Sequence, residues 1–126
     1  MSMRTPLGRV RGLGSAKSGT EHFWLQRVTS VAGIPLTVGF ILIVMALVGR
    51  NHAAVVQILG SPIVALTMIL FVATIVYHMW LGMQIIIEDY VNDPLRKALI
   101  AMGNTFFSCV VGLASIFAVL KISFGV

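Results

Sequence analysis

The chain has 126 residues, of which 58% are hydrophobic and only 10% are charged. This balance excludes an ordinary soluble domain, because four acidic and nine basic residues cannot coat an aqueous surface of this size. The net charge of +5 lies around the ends of apolar runs and is not interleaved with aromatic residues, so no nucleic-acid surface is expected. We therefore predict one membrane domain over residues 1–126.

The segment before the first apolar run has two parts. Residues 1–17 are polar, basic and glycine-rich without periodicity, which predicts an irregular tail. Ser18-Gly19-Thr20-Glu21 then fits the S-x-x-E capping box that starts helices. Aromatic and polar residues are mixed from there to Arg27, as is typical of the membrane–water interface. Residues 18–27 therefore predict the start of an interfacial helix.

Three apolar runs are long enough to cross a bilayer as helices, which takes roughly 20 residues. They are residues 28–48, 63–87 and 98–120. Residues 53–59, between the first two runs, predict a short interfacial helix. The predicted fold class is an all-α integral membrane protein with three transmembrane helices.

The basic residues predict the orientation of these spans. Seven of the nine Lys and Arg residues lie before the first span or in residues 88–97, on one side of a three-span protein. The positive-inside rule places that side, with the N-terminus, in the cytoplasm or mitochondrial matrix, and the C-terminus outside.

Small residues on the first and third spans predict close helix contacts, since they let backbones approach in lipid. Both contacts within this chain and contacts with another chain fit this pattern. The residues are Ser30, Gly33, Pro35, Gly103, Ser108, Gly112 and Ser115.

One histidine, His78, lies in the middle of the second span, about ten residues or roughly 15 Å from its cytoplasmic end. A polar group at this depth is expected to face protein or a cofactor. Gly82 follows one turn later on the same helix face, and because it has no side chain there is room beside the imidazole for a flat group. Asp89 lies about 20° from that face. A haem b ligand, a hydrogen-bonded structural histidine and a proton relay all fit these observations.

The other histidines do not lie level with His78. His22 is expected at the cytoplasmic interface and His52 on the opposite side, so a second axial ligand would come from another chain. The single cysteine, Cys109, cannot hold an iron–sulfur cluster, which needs about four ligands, and is interpreted as a small packing residue.

Two motifs resemble a known family. "HFWLQRVTS" before the first span and the H-x3-G-x6-D-Y pattern from His78 to Tyr90 are similar to those of the hydrophobic membrane anchor subunit (the D subunit) of succinate dehydrogenase, respiratory complex II. The resemblance covers nearly the whole chain, with its length, three spans and basic N-terminus.

The resemblance implies the cofactors and the site residues. A haem b would lie between this chain and a second anchor, the cytochrome b556 subunit, with His78 as one axial iron ligand. Arg27 would lie near the haem propionates or the quinone pocket, and Tyr90 with Asp89 would belong to the ubiquinone site. From the residues alone, Tyr90 also fits an interfacial belt, Asp89 a helix cap and Arg27 a snorkelling side chain. Glu88 is expected to be solvated.

The function implied is that of a subunit without catalysis of its own. It would anchor a flavoprotein and an iron–sulfur subunit to the lipid bilayer and couple succinate oxidation to the quinone pool. The expected location is the bacterial inner membrane in preference to the mitochondrial one. The alternative is a small homo-oligomeric proton-coupled transporter that uses His78 as its relay, with no haem and no soluble partners.

Overall fold

A computed structural model of the chain describes residues 3–12 and 20–126. Within these ranges the structure is all helical, with five helices in the order α1 (Pro6–Val10), α2 (Glu21–Leu47), α3 (His52–Leu59), α4 (Pro62–Tyr90) and α5 (Pro94–Phe124). Among the described residues, the helices α2, α4 and α5 are long and apolar enough to cross a membrane. The predicted fold class is therefore confirmed, and α3 matches the short helix expected between the first two spans.

The spanning helices all begin before the apolar runs that predicted them, and α4 and α5 also end after their runs. α5 begins four residues before the predicted start, because Pro94 at its first turn fits a helix beginning and the charged Arg96 and Lys97 can be helical outside the hydrocarbon. It ends at Phe124 and is capped by Gly125, whose φ of 69° is the left-handed conformation of a helix C-cap. Hydropathy marks the membrane-buried part of a helix, whereas its ends are set by caps and prolines.

Two predictions for the N-terminal segment need correction. The tail was predicted to be irregular, but residues 6–10 form α1, with the Thr5 side chain accepting a hydrogen bond from the Gly8 backbone N–H at 3.0 Å. α2 begins at Glu21 with Thr20 at its N-cap position, and the Thr20 side chain makes no capping hydrogen bond. Ser18, the first residue of the proposed capping box, lies outside the described residues.

The helices pack with α4 in the centre, between α2 and α5. Gly33 on α2 and Ser108 and Gly112 on α5 are buried, so these predicted small-residue contacts lie within the chain. Leu81, in the middle of this packing on α4, is 1% exposed. Two polar contacts also join α4 to α5: Trp80 Nε1 donates to Thr105 Oγ1 at 3.1 Å, and Asn104 Nδ2 donates to the Trp80 carbonyl at 3.2 Å.

Most of the apolar surface remains uncovered by the chain itself. Only 6–11% of the residues in the apolar windows of the three spanning helices are buried within the protein. A surface of this kind needs lipid or other membrane subunits around it. Lipid or other membrane subunits must therefore cover the bundle on nearly every side.

Gly112 provides a test of the α4–α5 contact. A Cβ added there would lie 3.3 Å from Val76 Cγ1, which is too close for a larger side chain without movement of the helices. Gly112→Leu should destabilise the bundle by about 1–3 kcal/mol through overpacking, measured as a lower thermal unfolding midpoint in detergent. Gly103→Leu is the matched control, since a Cβ at Gly103 meets nothing within 4 Å. Equal losses in both variants would contradict the contact.

Candidate functional site

The main polar cavity lies between α2 and α4, at the end of the bundle where α2 begins and α4 ends. Its volume is about 690 Å³, within the range of pockets that hold cofactors and small molecules. It combines aromatic and apolar walls with two imidazoles, a guanidinium and a carboxylate. The lining residues are His22, Phe23, Gln26, Arg27, Ser30, His78, Ile85 and Glu88.

His78 lies on α4 12 positions before Tyr90, the last residue of the helix. That is roughly 18 Å at 1.5 Å per residue, so the imidazole lies near the middle of a bilayer-spanning segment. Its ring is half-buried and contacts α2 through both nitrogens. Nδ1 lies 2.9 Å from Thr29 Oγ1, and Nε2 lies 3.3 Å from the Gln26 carboxamide nitrogen. The prediction that this histidine faces protein is confirmed.

Gly82 is one turn from His78 toward Tyr90, as the sequence periodicity predicted. A Cβ at Gly82 would lie 3.7 Å from the Gln26 carboxamide nitrogen, so the glycine borders the space that Gln26 fills. Gln26 itself has a buried Oε1 without a hydrogen-bond partner. Buried polar atoms are normally hydrogen-bonded, so an unpaired oxygen next to an imidazole is typical of a site that binds another group.

Arg27 lies in the same cavity as His78, although the two residues are 51 positions apart. Its guanidinium carbon lies 4.9 Å above the centre of the Phe23 ring, which is a cation–π distance. The aromatic ring holds the charge at the cavity wall while the guanidinium stays exposed. A fixed cation at this place suits an anionic group bound in the cavity.

Asp89 and Tyr90 end α4 and lie outside the described cavity. Both are exposed, and Tyr90 is 80% exposed, so its phenol is available to another chain or to a ligand. The structure thus brings His78 and Arg27 together but does not bring Asp89 or Tyr90 to them. Glu88 was expected only to be solvated; it is exposed, yet it also lines the cavity.

Sequence reasoning missed Thr29 and Gln26. Both belong to α2 and contact a histidine about fifty positions later, so no local motif joins them to His78. The available signal was their position on α2, about one and two turns after Phe23. Cys109, interpreted as a packing residue, is exposed and lines an apolar groove between α4 and α5.

The fold and the cavity define a three-span membrane protein whose half-buried histidine faces a second helix and whose apolar surface needs lipid or other subunits around it. A sequence model of the family described as succinate dehydrogenase/fumarate reductase transmembrane subunit matches residues 1–119. The chain therefore belongs to this family.

Several relatives are similar over most of the chain. The succinate dehydrogenase hydrophobic membrane anchor subunit of Paracoccus denitrificans is 34% identical over 121 residues, covering 96% of this chain and 93% of the relative. The corresponding subunit of Rickettsia bellii is 32% identical over 82% of this chain and 83% of the relative. A membrane anchor subunit of Reclinomonas americana is 29% identical over 64% and 70%. No solved structure matches the chain significantly. The bacterial relatives and the spanning helices support a bacterial membrane protein.

Proposed function

We propose that the chain is the anchor through which a succinate:ubiquinone oxidoreductase of the bacterial inner membrane holds a haem b and reduces quinone. In this proposal the N-terminus is cytoplasmic, and soluble flavoprotein and iron–sulfur subunits dock on that side. A second anchor, of the cytochrome b556 type, completes the membrane part. The family and the names of the relatives support the anchor role, and the cavity beside His78 supports the cofactor.

The residues of the cavity fit a haem b. His78 offers an imidazole near mid-membrane, and Arg27 offers a cation that would offset propionate charge. Gly82, one turn from His78, has no side chain and borders the Gln26 amide. The unpaired Gln26 Oε1 belongs to the same wall. His78 would hold the iron together with a residue of the partner anchor. When bound, the haem would supply one-electron transfer within the membrane.

The quinone site in this proposal lies at the Tyr90 end of α4. The phenol of Tyr90 is exposed and would donate a hydrogen bond to a quinone carbonyl. Asp89 beside it is exposed and would pass protons from the aqueous phase. Reduction of the quinone to the quinol takes two electrons from the soluble partners and two protons from water. The oxidation of succinate itself takes place in those partners.

The single observation that carries the cofactor part of the proposal is the cavity that brings His78 and Arg27 together from two different helices. Affinity purification of the tagged chain in a mild detergent tests the proposal. We expect flavin, iron–sulfur and second-anchor subunits to copurify and the preparation to reduce a short-chain ubiquinone with succinate. A homo-oligomer without other subunits and without this activity would contradict it and would favour the transporter alternative.

A further inference from the structure

Both ring nitrogens of His78 are engaged by one stretch of α2. Thr29 Oγ1 lies 2.9 Å from Nδ1, and the carboxamide nitrogen of Gln26 lies 3.3 Å from Nε2. Residues 26 and 29 are three apart and therefore lie on the same helix face. The imidazole is thus held at two points, and the donor at each point decides which nitrogen carries the proton.

The hydroxyl of Thr29 has only one proton to give. Its oxygen also lies 2.8 Å from the Leu25 carbonyl and 3.1 Å from the Gln26 carbonyl, and both carbonyls can only accept. When the hydroxyl donates to this preceding turn, its lone pairs are left for His78. Nδ1 then carries the imidazole proton and donates it to Thr29 Oγ1, whereas Nε2 keeps its lone pair and accepts from the Gln26 amide.

The opposite arrangement is less favourable. If Thr29 donated to Nδ1, then Nε2 would carry the proton and the Gln26 amide would have to turn its oxygen toward it. The amide NH₂ would then occupy the buried position where Oε1 has no partner. That arrangement leaves two amide N–H groups unpaired, whereas the first leaves one amide N–H group and the Oε1 acceptor unpaired. The first costs less, because orphaned N–H groups are the rarer defect in proteins.

We infer that Thr29 is a positioning residue that fixes His78 as the Nδ1–H tautomer and leaves the lone pair of Nε2 ready to bind iron. The Gln26 amide donates to this lone pair until a metal displaces it. A hydrogen bond from Nδ1–H orients a ligand imidazole and makes it more basic. The iron part rests on the proposed function, whereas the tautomer does not.

The experiment uses three variants. Thr29→Val removes the hydroxyl at nearly constant shape, and Thr29→Ser keeps the hydroxyl. Thr67→Val is the matched control, because Thr67 Oγ1 donates to the Ile63 carbonyl at 2.8 Å, as Thr29 does to the Leu25 carbonyl. The full chain, labelled with ¹⁵N-histidine and held in lipid nanodiscs, reports the tautomer by NMR. The purified complex reports haem retention and midpoint potential.

We expect the Nδ1–H tautomer in the unchanged chain, in Thr29→Ser and in Thr67→Val. Thr29→Val should lose it and should bind haem about 10–100-fold more weakly. The midpoint potential of the haem in this variant should rise, because a less basic imidazole stabilises ferric iron less relative to ferrous iron. Each tenfold change in that relative stabilisation corresponds to about 59 mV.

Two results would overturn the inference. One is an Nε2–H tautomer in the unchanged chain, which decides the question even if Thr29→Val fails to fold. The other is a Thr29→Val complex with unchanged haem retention and potential. A complex that contains no haem would refute the proposed function instead, and the NMR measurement would still decide the tautomer.

Discussion

His78→Leu should remove haem from the purified complex, lowering the haem content at least about tenfold. Leucine fills a similar volume, so the α2–α4 contact is kept while the nitrogen that would bind iron is lost. The two contacts of the ring with Thr29 and Gln26 are lost as well, which leaves the Gln26 amide without a partner while the Thr29 hydroxyl keeps the Leu25 carbonyl. Optical spectra of the reduced minus oxidised complex, normalised to protein, measure the haem.

His52→Leu is the control for this substitution. His52 begins α3 at the opposite end of the bundle and is exposed, so it does not approach the cavity. Its replacement should leave the haem spectrum unchanged. An unchanged haem content in His78→Leu would contradict the assignment of His78 as the iron ligand. His78 would then be a structural residue that hydrogen-bonds to α2.

Tyr90→Phe should slow the reduction of ubiquinone by succinate roughly threefold to tenfold. One hydrogen bond to the quinone carbonyl is worth about 1 kcal/mol, and 1.4 kcal/mol corresponds to a factor of ten in rate. Because the Tyr90 side chain is 80% exposed, loss of its hydroxyl removes no contact within the chain. Succinate oxidation with an artificial soluble acceptor should continue at the original rate, since that reaction does not use the membrane site.

Tyr77→Phe provides the matched control for Tyr90. Tyr77 is also on α4 but packs beside Trp80, with ring centres 5.7 Å apart, and lines the groove toward α5. Loss of the Tyr77 hydroxyl should leave the rate of quinone reduction unchanged. An equal fall of both the quinone and the artificial-acceptor activities in Tyr90→Phe would indicate an assembly defect and would argue against a quinone contact.

The membrane-spanning part of the fold is well encoded in local sequence. Apolar runs of about 20 residues have few alternatives to a transmembrane helix, because every backbone polar group in lipid must be paired within its own segment. This constraint does not apply at the aqueous ends, where α4 continues to Tyr90 and α5 begins at Pro94. The short α1 was missed for the same reason, since five polar and apolar residues show no helical period.

The site was predictable only in part. The depth of His78 and its need for a partner followed from its place in an apolar run, because an unpaired imidazole in lipid is costly. The identity of its partners did not follow, since Thr29 and Gln26 reach it through helix packing. Helical periodicity also placed Asp89 near the His78 face, but the cavity wall contains Glu88 instead, one residue earlier. At 100° per residue Glu88 lies about 80° from the His78 direction, so the cavity reaches the side of this helix face and not only the face itself.

The most direct test is a reduced-minus-oxidised optical spectrum of the intact complex, purified through this chain, together with its haem-to-chain ratio. We expect a b-type haem, at one haem for each copy of the chain, in a preparation that also contains a different anchor subunit. A clean preparation of one kind of chain with no haem signal would contradict the proposal, and His78 would then be studied as a proton relay.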